Sequence, residues 1–173
     1  PATSPDSGSR TRRSQRGAAA ARLRPRSYKR DWKADSPKFG SAEIKERFLP
    51  DLASGRKLGG FCLTEAGSGS DAGAMLSTAR RDGNDYVLDG AKVWITNAGV
   101  AGTFVVMAKT EPQAGKRGIS AFVVDAASPG IQVGRPEAKL GLRASVTAAV
   151  TFTECRVPAR QLLGAEGGGF KIA

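Results

Sequence analysis

Beyond Gly60, short apolar segments alternate with turn-forming residues, and this pattern constrains the fold more than any other feature of the sequence. Such segments favour strands where β-branched and aromatic residues lie between glycine, proline and aspartate. The predicted strands are 74–81, 86–88, 92–95, 103–109, 119–125, 131–134 and 146–152. Asp89-Gly90 is typical of a two-residue hairpin turn. Many short strands at this spacing predict a mainly β fold, an antiparallel sandwich or barrel.

One helix is predicted before the first strand. Ser41 is a suitable N-cap, and the apolar residues Ile44 and Phe48 lie four apart on one helical face. Pro50 is predicted to end the helix because its ring removes a backbone donor and clashes with the preceding turn.

The net charge of +11 is concentrated in the first 33 residues, which hold ten of the 27 Lys and Arg residues against two Asp. Few large apolar residues occur there, so a disordered basic segment is predicted over residues 1–38. Arginines spaced by Ser and Ala are also typical of a mitochondrial transit peptide. A third alternative is a truncated or misread junction, since the sequence begins at Pro1. Nucleic-acid binding would need interleaved aromatics and a recognisable module, and no nucleic-acid partner is predicted.

Several classes of site are disfavoured by composition. The sequence contains no histidine, which excludes His-based triads and disfavours transition-metal sites. Cys62 and Cys155 lie in apolar segments without metal-ligand spacing and are predicted to be buried, structural residues. No apolar run of about 18 residues occurs, so no membrane span is predicted.

The stretch FCLTEAGSGSD, residues 61–71, joins a short apolar strand to a turn of small residues. Gly67, Gly69 and Ala72 fit a dinucleotide-binding fingerprint, with Asp89 about 20 residues further on. The following sequence leaves no room for an apolar crossover helix of about a dozen residues, and the predicted hairpin is antiparallel, so a Rossmann unit is rejected. The turn either binds anionic groups through successive N–H groups or is a tight turn that needs glycine.

Four ordered motifs occur over residues 61–173: FCLTEAGSGSD, VWITNAG, KLGLRASVT and RVPARQLLGAEGGGFKIA. Together they resemble the middle β-barrel domain of the acyl-CoA dehydrogenase family. The resemblance implies an antiparallel β-barrel over residues 59–158 with short flanking helices. It also implies that residues 39–58 are the end of an N-terminal helical domain and that residues 159–173 begin a truncated C-terminal helical domain.

The same resemblance implies noncovalently bound FAD. The positions implied to contact the cofactor are Phe61, Leu63, Thr64, Gly69, Ser70, Trp94, Ile95 and Thr96. The Thr96 hydroxyl would donate to flavin N5, and Ser70 would also lie near the acyl-CoA substrate. From the apolar pattern alone, Phe61, Leu63 and Ile95 are equally well explained as core residues of strands.

The implied activity is that of an oxidoreductase converting an acyl-CoA thioester to the trans-2-enoyl-CoA and passing electrons to an electron-transferring flavoprotein. Family members form dimers or tetramers, so a homo-oligomer is implied. The family's glutamate base belongs to the C-terminal helical domain, so the chain is expected to be an incomplete enzyme with no catalytic residue of its own. Glu65 is expected to be structural, and Ala66 departs from the family's usual proline. The alternative is a noncatalytic β domain that has lost cofactor binding.

Overall fold

The structure, a computed structural model, describes residues 38–173, and the predicted basic segment lies outside the described residues apart from Lys38. One complete α-helix and eight strands lie within that range. They are α1 (Ala42–Ser54), β1 (Gly59–Cys62), β2 (Thr78–Asp82), β3 (Asp85–Thr96), β4 (Thr103–Lys109), β5 (Ile119–Asp125), β6 (Ile131–Val133), β7 (Thr147–Pro158) and β8 (Leu162–Leu163). Within residues 38–173 no helix is long and apolar enough to cross a membrane.

Helix α1 begins where the sequence predicts and ends later than it predicts. The Ser41 hydroxyl accepts a hydrogen bond from the Ile44 N–H at 3.3 Å, which satisfies one free donor of the first turn. Pro50 lies inside the helix, so the prediction that it ends the helix is wrong. Ile44 and Phe48 are buried against the sheet, and Leu49 and Leu52 pack beside them on either side of Pro50, so the helix continues to Gly55, which has the left-handed conformation with φ 78°.

The eight strands form one sheet, and the predicted mainly β fold is confirmed. The strand order is β6-β7-β3-β2-β4-β5-β8, with β1 placed beside β4. Five neighbouring pairs are antiparallel, whereas β1 and β2 each pair with β4 in parallel. Within residues 38–173 the strand path does not close, and it ends at β6 on one side and β8 on the other.

The predicted hairpin at Asp89-Gly90 is wrong, because both residues lie inside the 12-residue strand β3. The hairpin turn comes earlier, at Gly83 and Asn84, between β2 and β3. Asp89-Gly90 instead forms an irregularity where the register against β7 shifts, and Gly90 has φ 145°. The Asp89 carboxylate accepts a bond from the Glu154 N–H at 2.8 Å, which replaces a missing ladder bond. The antiparallel β2–β3 pair still excludes a Rossmann unit.

Both faces of the central strands are buried, which explains their continuous apolar sequences. In β4, Phe104 and Val106 belong to one core cluster, and Val105 and Met107 belong to a second. The second cluster lies under α1, and full burial of a large apolar side chain there contributes about 1.5–3 kcal/mol. The sheet is therefore anchored on both sides at β4, the strand that β1 pairs with.

The C-terminal segment stays attached to the sheet after β7. β8 pairs with β5, and short 3-10 helices lie at Ala159–Gln161 and Gly169–Lys171. The Gly167 N–H donates to the Ser120 hydroxyl at 2.8 Å, which fixes the glycine-rich turn against β5. The assignment of residues 159–173 to a further helical domain remains a prediction.

Candidate functional site

The predicted cofactor-contacting segments at residues 61–64 and 94–96 lie side by side. The Val93 N–H donates to the Thr64 carbonyl at 2.9 Å, and the Asn97 side-chain amide donates to the Gly59 carbonyl at 3.1 Å. A Cβ atom at Gly60 would lie 2.8 Å from the ring of Phe104 and 3.4 Å from the Thr96 carbonyl oxygen, so glycine permits the close approach of the chain to both. The fold thus joins two motifs about 30 residues apart into one surface, which we call the wall and define as residues 61–64 and 94–96.

Side chains in the first segment of the wall alternate between interior and surface. Phe61, Leu63 and Thr64 are half-buried, whereas Cys62 and Glu65 point inward and are buried. Cys62 is buried, as predicted, and this burial raises the pKa of its thiol, which favours the neutral form. Phe61 and Leu63 pack against the second core cluster with the buried part of their side chains, so only their exposed part is left to line the wall.

Trp94 dominates the second segment of the wall. Its side chain is 62% exposed, and its φ of 60° is rare for a bulky residue. The positive φ occurs where the register against β7 shifts between Lys92 and Ile95, so a β-bulge turns the indole outward. Backbone strain of this kind is a feature of ligand sites.

The two neighbours of Trp94 are placed differently from each other. The side chain of Ile95 is buried in the core, 2% exposed, so Ile95 presents only its backbone to the wall surface. Thr96 is half-buried and lies opposite Thr147 on β7. Of the three predicted contacts in this segment, Trp94 and Thr96 therefore bring their side chains to the surface.

The small-residue turn after the wall is closed by its own backbone. Glu65 and Ser68 exchange two backbone hydrogen bonds, at 3.2 Å and 3.1 Å. The Gly69 and Ser70 amides are exposed and donate to no acceptor within residues 38–173. The Ser68 hydroxyl is buried and likewise has no hydrogen-bond partner in this described range. The turn is therefore tight at its start, and its later donors remain open.

A buried ion pair lies directly beneath the wall. The Lys92 ammonium is 0% exposed and lies 2.8 Å from Oε1 of Glu65, whose side chain is 8% exposed. Lys92 also donates to the Leu63 carbonyl at 3.2 Å. The remaining capacity of the Glu65 carboxylate is filled by the Ser77 hydroxyl and N–H and by the Leu76 N–H, at 2.6 Å, 3.0 Å and 2.6 Å. The pair is therefore fully hydrogen-bonded, as a buried charge pair must be to avoid a large cost.

The surroundings of the pair lower the pKa of both Glu65 and Lys92. Burial alone would raise the pKa of Glu65, but hydrogen bonds from Lys92, Ser77 and Leu76 outweigh it and hold this pKa below its ordinary value. Burial lowers the pKa of Lys92, and the Glu65 carboxylate opposes that effect. Glu65 is thus a permanently ionised structural carboxylate at neutral pH, and it has no free oxygen with which to act as a base.

We expect Glu65 to make the fold sensitive to acid. Its pKa is lower in the folded chain than in the unfolded chain, so its contribution is fully present above the ordinary pKa of 4.5 and is lost as pH falls through the folded value. Denaturant midpoints at about pH 6 and about pH 3 should differ more for the wild-type chain than for Glu65→Gln. Equal differences in the two chains would contradict this assignment.

Lys92 is the site residue that sequence reasoning missed. A lone lysine in an apolar strand is ordinarily solvated at its charged end, and nothing local marks this one as buried. One signal was available, because Glu65 directly follows the apolar strand of the other motif and a buried carboxylate there needs a cationic partner. Lys92 lies opposite Val150, which is itself buried.

Comparison with known proteins agrees with this geometry. The family profile "Acyl-CoA dehydrogenase, middle domain" matches residues 60–155. The chain is 50% identical over 138 residues to the acryloyl-CoA reductase (NADH) of Anaerotignum propionicum, covering 79% of this chain and 35% of that protein. It is 49% identical over 136 residues to the mitochondrial short-chain specific acyl-CoA dehydrogenase of Homo sapiens, covering 79% of this chain and 33% of that protein. A solved structure of an FAD-dependent dehydrogenase superposes with a TM-score of 0.82 at 38% identity, covering 91% of this chain and 41% of that one.

The fold and the site together define a mainly β domain in which two segments from different motifs lie side by side. The chain belongs to the acyl-CoA dehydrogenase family, and residues 60–155 correspond to the family's middle domain. The resemblance predicted from four motifs is confirmed. The chain spans about a third of the length of the curated relatives that it matches.

Proposed function

We propose that this chain supplies the flavin-facing wall of an FAD-dependent acyl-CoA dehydrogenase, with the barrel domain at residues 59–158. The observation that carries the proposal is the hydrogen bond that brings the two wall segments together, in which the N–H of Val93, the residue before Trp94, donates to the Thr64 carbonyl. The whole protein would convert an acyl-CoA thioester to the trans-2-enoyl-CoA and pass the electrons to an electron-transferring flavoprotein, as the family resemblance implies.

The residues of the wall suit a flat heteroaromatic ring with polar edges. Trp94 offers an exposed aromatic face, and Phe61 and Leu63 offer a half-buried apolar edge. The Thr64 N–H donates to no acceptor within residues 38–173, and the open Gly69 and Ser70 amides follow it in the same motif. Apolar faces with a few open donors are the combination that holds and orients a cofactor.

The chemistry that FAD supplies when bound is the acceptance of a hydride from the acyl chain. Thr96 is half-buried and lies two residues after Trp94, so its hydroxyl would hold the ring edge and Trp94 would exclude water from it. Ser70 and Gly69 would hold polar groups of the cofactor and the thioester. The base that removes the α proton is assigned to a part of the whole protein other than this wall, since every oxygen of Glu65 is already occupied.

The test is retention of FAD by the 173-residue chain. The chain is mixed with FAD and desalted, and the visible absorbance of the protein fraction is recorded while circular dichroism checks the fold. We expect a retained flavin band. Thr96→Val keeps the side-chain shape and removes one donor, so it should weaken binding by about tenfold. A folded wild-type chain without flavin would contradict the proposal and favour a noncatalytic β domain.

A further inference from the structure

We propose that the buried Lys92–Glu65 pair is a positioning device that turns the Thr64 N–H outward toward the bound flavin. The inference deepens the proposed function and rests on it for the identity of the ligand. Its structural part, the control of one peptide group by Lys92, concerns the chain without any ligand.

Lys92 orients the peptide between Leu63 and Thr64. Its carbonyl accepts a hydrogen bond from the Lys92 ammonium at 3.2 Å, at a point where Lys92 is fully buried. In a trans peptide the C=O and the N–H point in opposite directions. A carbonyl drawn toward the interior therefore directs the Thr64 N–H away from it, to the half-buried surface of the wall.

Val93 holds the peptide on the other side of Thr64, between Thr64 and Glu65. Its carbonyl accepts from the Val93 N–H at 2.9 Å. Lys92 and Val93 are consecutive residues of β3, so one strand holds the peptides on both sides of Thr64. The Thr64 N–H itself donates to no acceptor within residues 38–173. A donor that is fixed in direction and left open in this way is ready for a ligand acceptor.

The charges of Lys92 and Glu65 need an explanation other than stability. Two buried charges contribute little net stability compared with a well-packed apolar pair, so stability alone does not explain them. Glu65 fixes the ammonium by its 2.8 Å contact and is itself fixed by Ser77 and Leu76. The ammonium is thereby held within reach of the Leu63 carbonyl, which an apolar side chain would leave without a donor.

The experiment compares two variants that differ only at Lys92. Glu65→Gln removes the anion and keeps the amine that donates to Leu63. Glu65→Gln combined with Lys92→Met removes both charges and also removes the donor, and it avoids the unpaired buried carboxylate of the single lysine variant. Arg160→Met, at an exposed arginine beside Glu43, controls for the loss of a long cationic side chain elsewhere.

Two readouts are taken on the full 173-residue chain. Without ligand, the amide resonance of Thr64 in a ¹H–¹⁵N NMR spectrum reports on the hydrogen bond to the preceding carbonyl. It should shift most in the double variant, shift less in Glu65→Gln, where the amine remains but loses its anchor, and stay near the wild-type position in Arg160→Met. With FAD, the dissociation constant should be about tenfold higher in the double variant than in Glu65→Gln, with a displaced flavin absorbance band.

The outcomes separate the inference from the function it rests on. A wild-type chain that binds no FAD contradicts the proposed function, and the Thr64 resonance then decides the positioning role by itself. An unchanged Thr64 resonance in the double variant overturns the inference, whatever happens to the stability of the fold. A shifted resonance with unchanged FAD affinity and absorbance overturns the link to the flavin.

Discussion

Lys92→Met is expected to lower the free energy of unfolding by about 3–5 kcal/mol, the largest loss of stability that we predict for a single substitution in the site. The reason is the carboxylate that remains. Glu65 is 8% exposed and would lose its 2.8 Å contact with the ammonium, leaving a buried charge without a counter-charge. Its bonds from Ser77 and Leu76 would remain, but they come from neutral donors.

Denaturant unfolding followed by circular dichroism measures this loss. The double variant Glu65→Gln with Lys92→Met should recover most of the stability, because neither charge is left unpaired. Arg160→Met removes an exposed arginine that lies 2.8 Å from Glu43 and should cost at most about 1 kcal/mol. If Lys92→Met lowers the free energy of unfolding by no more than Arg160→Met does, the buried pair does not stabilise the fold.

Trp94→Gly is expected to weaken FAD binding by about 2 kcal/mol, roughly 30-fold in the dissociation constant, without destabilising the fold. The indole is 62% exposed, so its removal forfeits little packing in the free chain. The φ of 60° at this position is strained for tryptophan and unstrained for glycine. Affinity and stability should therefore respond differently to the same substitution.

Trp94→Ala is the matched comparison, because it also removes the indole but keeps a residue that disfavours positive φ. The alanine variant should bind FAD as weakly as the glycine variant and be about 1 kcal/mol less stable. FAD titration and denaturant unfolding of the two variants give both quantities. Equal stabilities would show that the strain at Trp94 is negligible, and unchanged affinity would remove Trp94 from the flavin wall.

The elements that could be predicted from sequence are those whose local pattern agrees with the final packing. TFVVMAK and ISAFVVD are predominantly apolar and become β4 and β5, buried on both faces. The pattern failed where packing overrides local rules. Pro50 ends isolated helices, but the apolar face of α1 is held against the sheet through and beyond it. Asp89-Gly90 has the composition of a turn, yet it forms an irregularity within a long strand.

The site was predictable to a similar extent. The motifs containing Phe61 and Trp94 were identified as parts of one site through the family resemblance, and the sheet places their segments side by side. Lys92 was missed, because two register shifts in β3 break the simple alternation that would reveal an inward-facing position, and the need of Glu65 for a cationic partner was the one remaining signal. For the same reason the sequence did not decide whether Ile95 is a core residue or a cofactor contact. The register shift next to Trp94 determines which side chains face the core, and Ile95 is buried there.

The central claim is that one wall, residues 61–64 and 94–96, binds FAD, and a titration followed by NMR tests it most directly. FAD is added to the ¹⁵N-labelled 173-residue chain, and changes in the backbone amide resonances are mapped onto the sheet. The account predicts the largest changes at residues 61–64, 69–70 and 94–96, with little change at β6 on the far edge of the sheet. No change on saturation, or changes centred away from these residues, would contradict it.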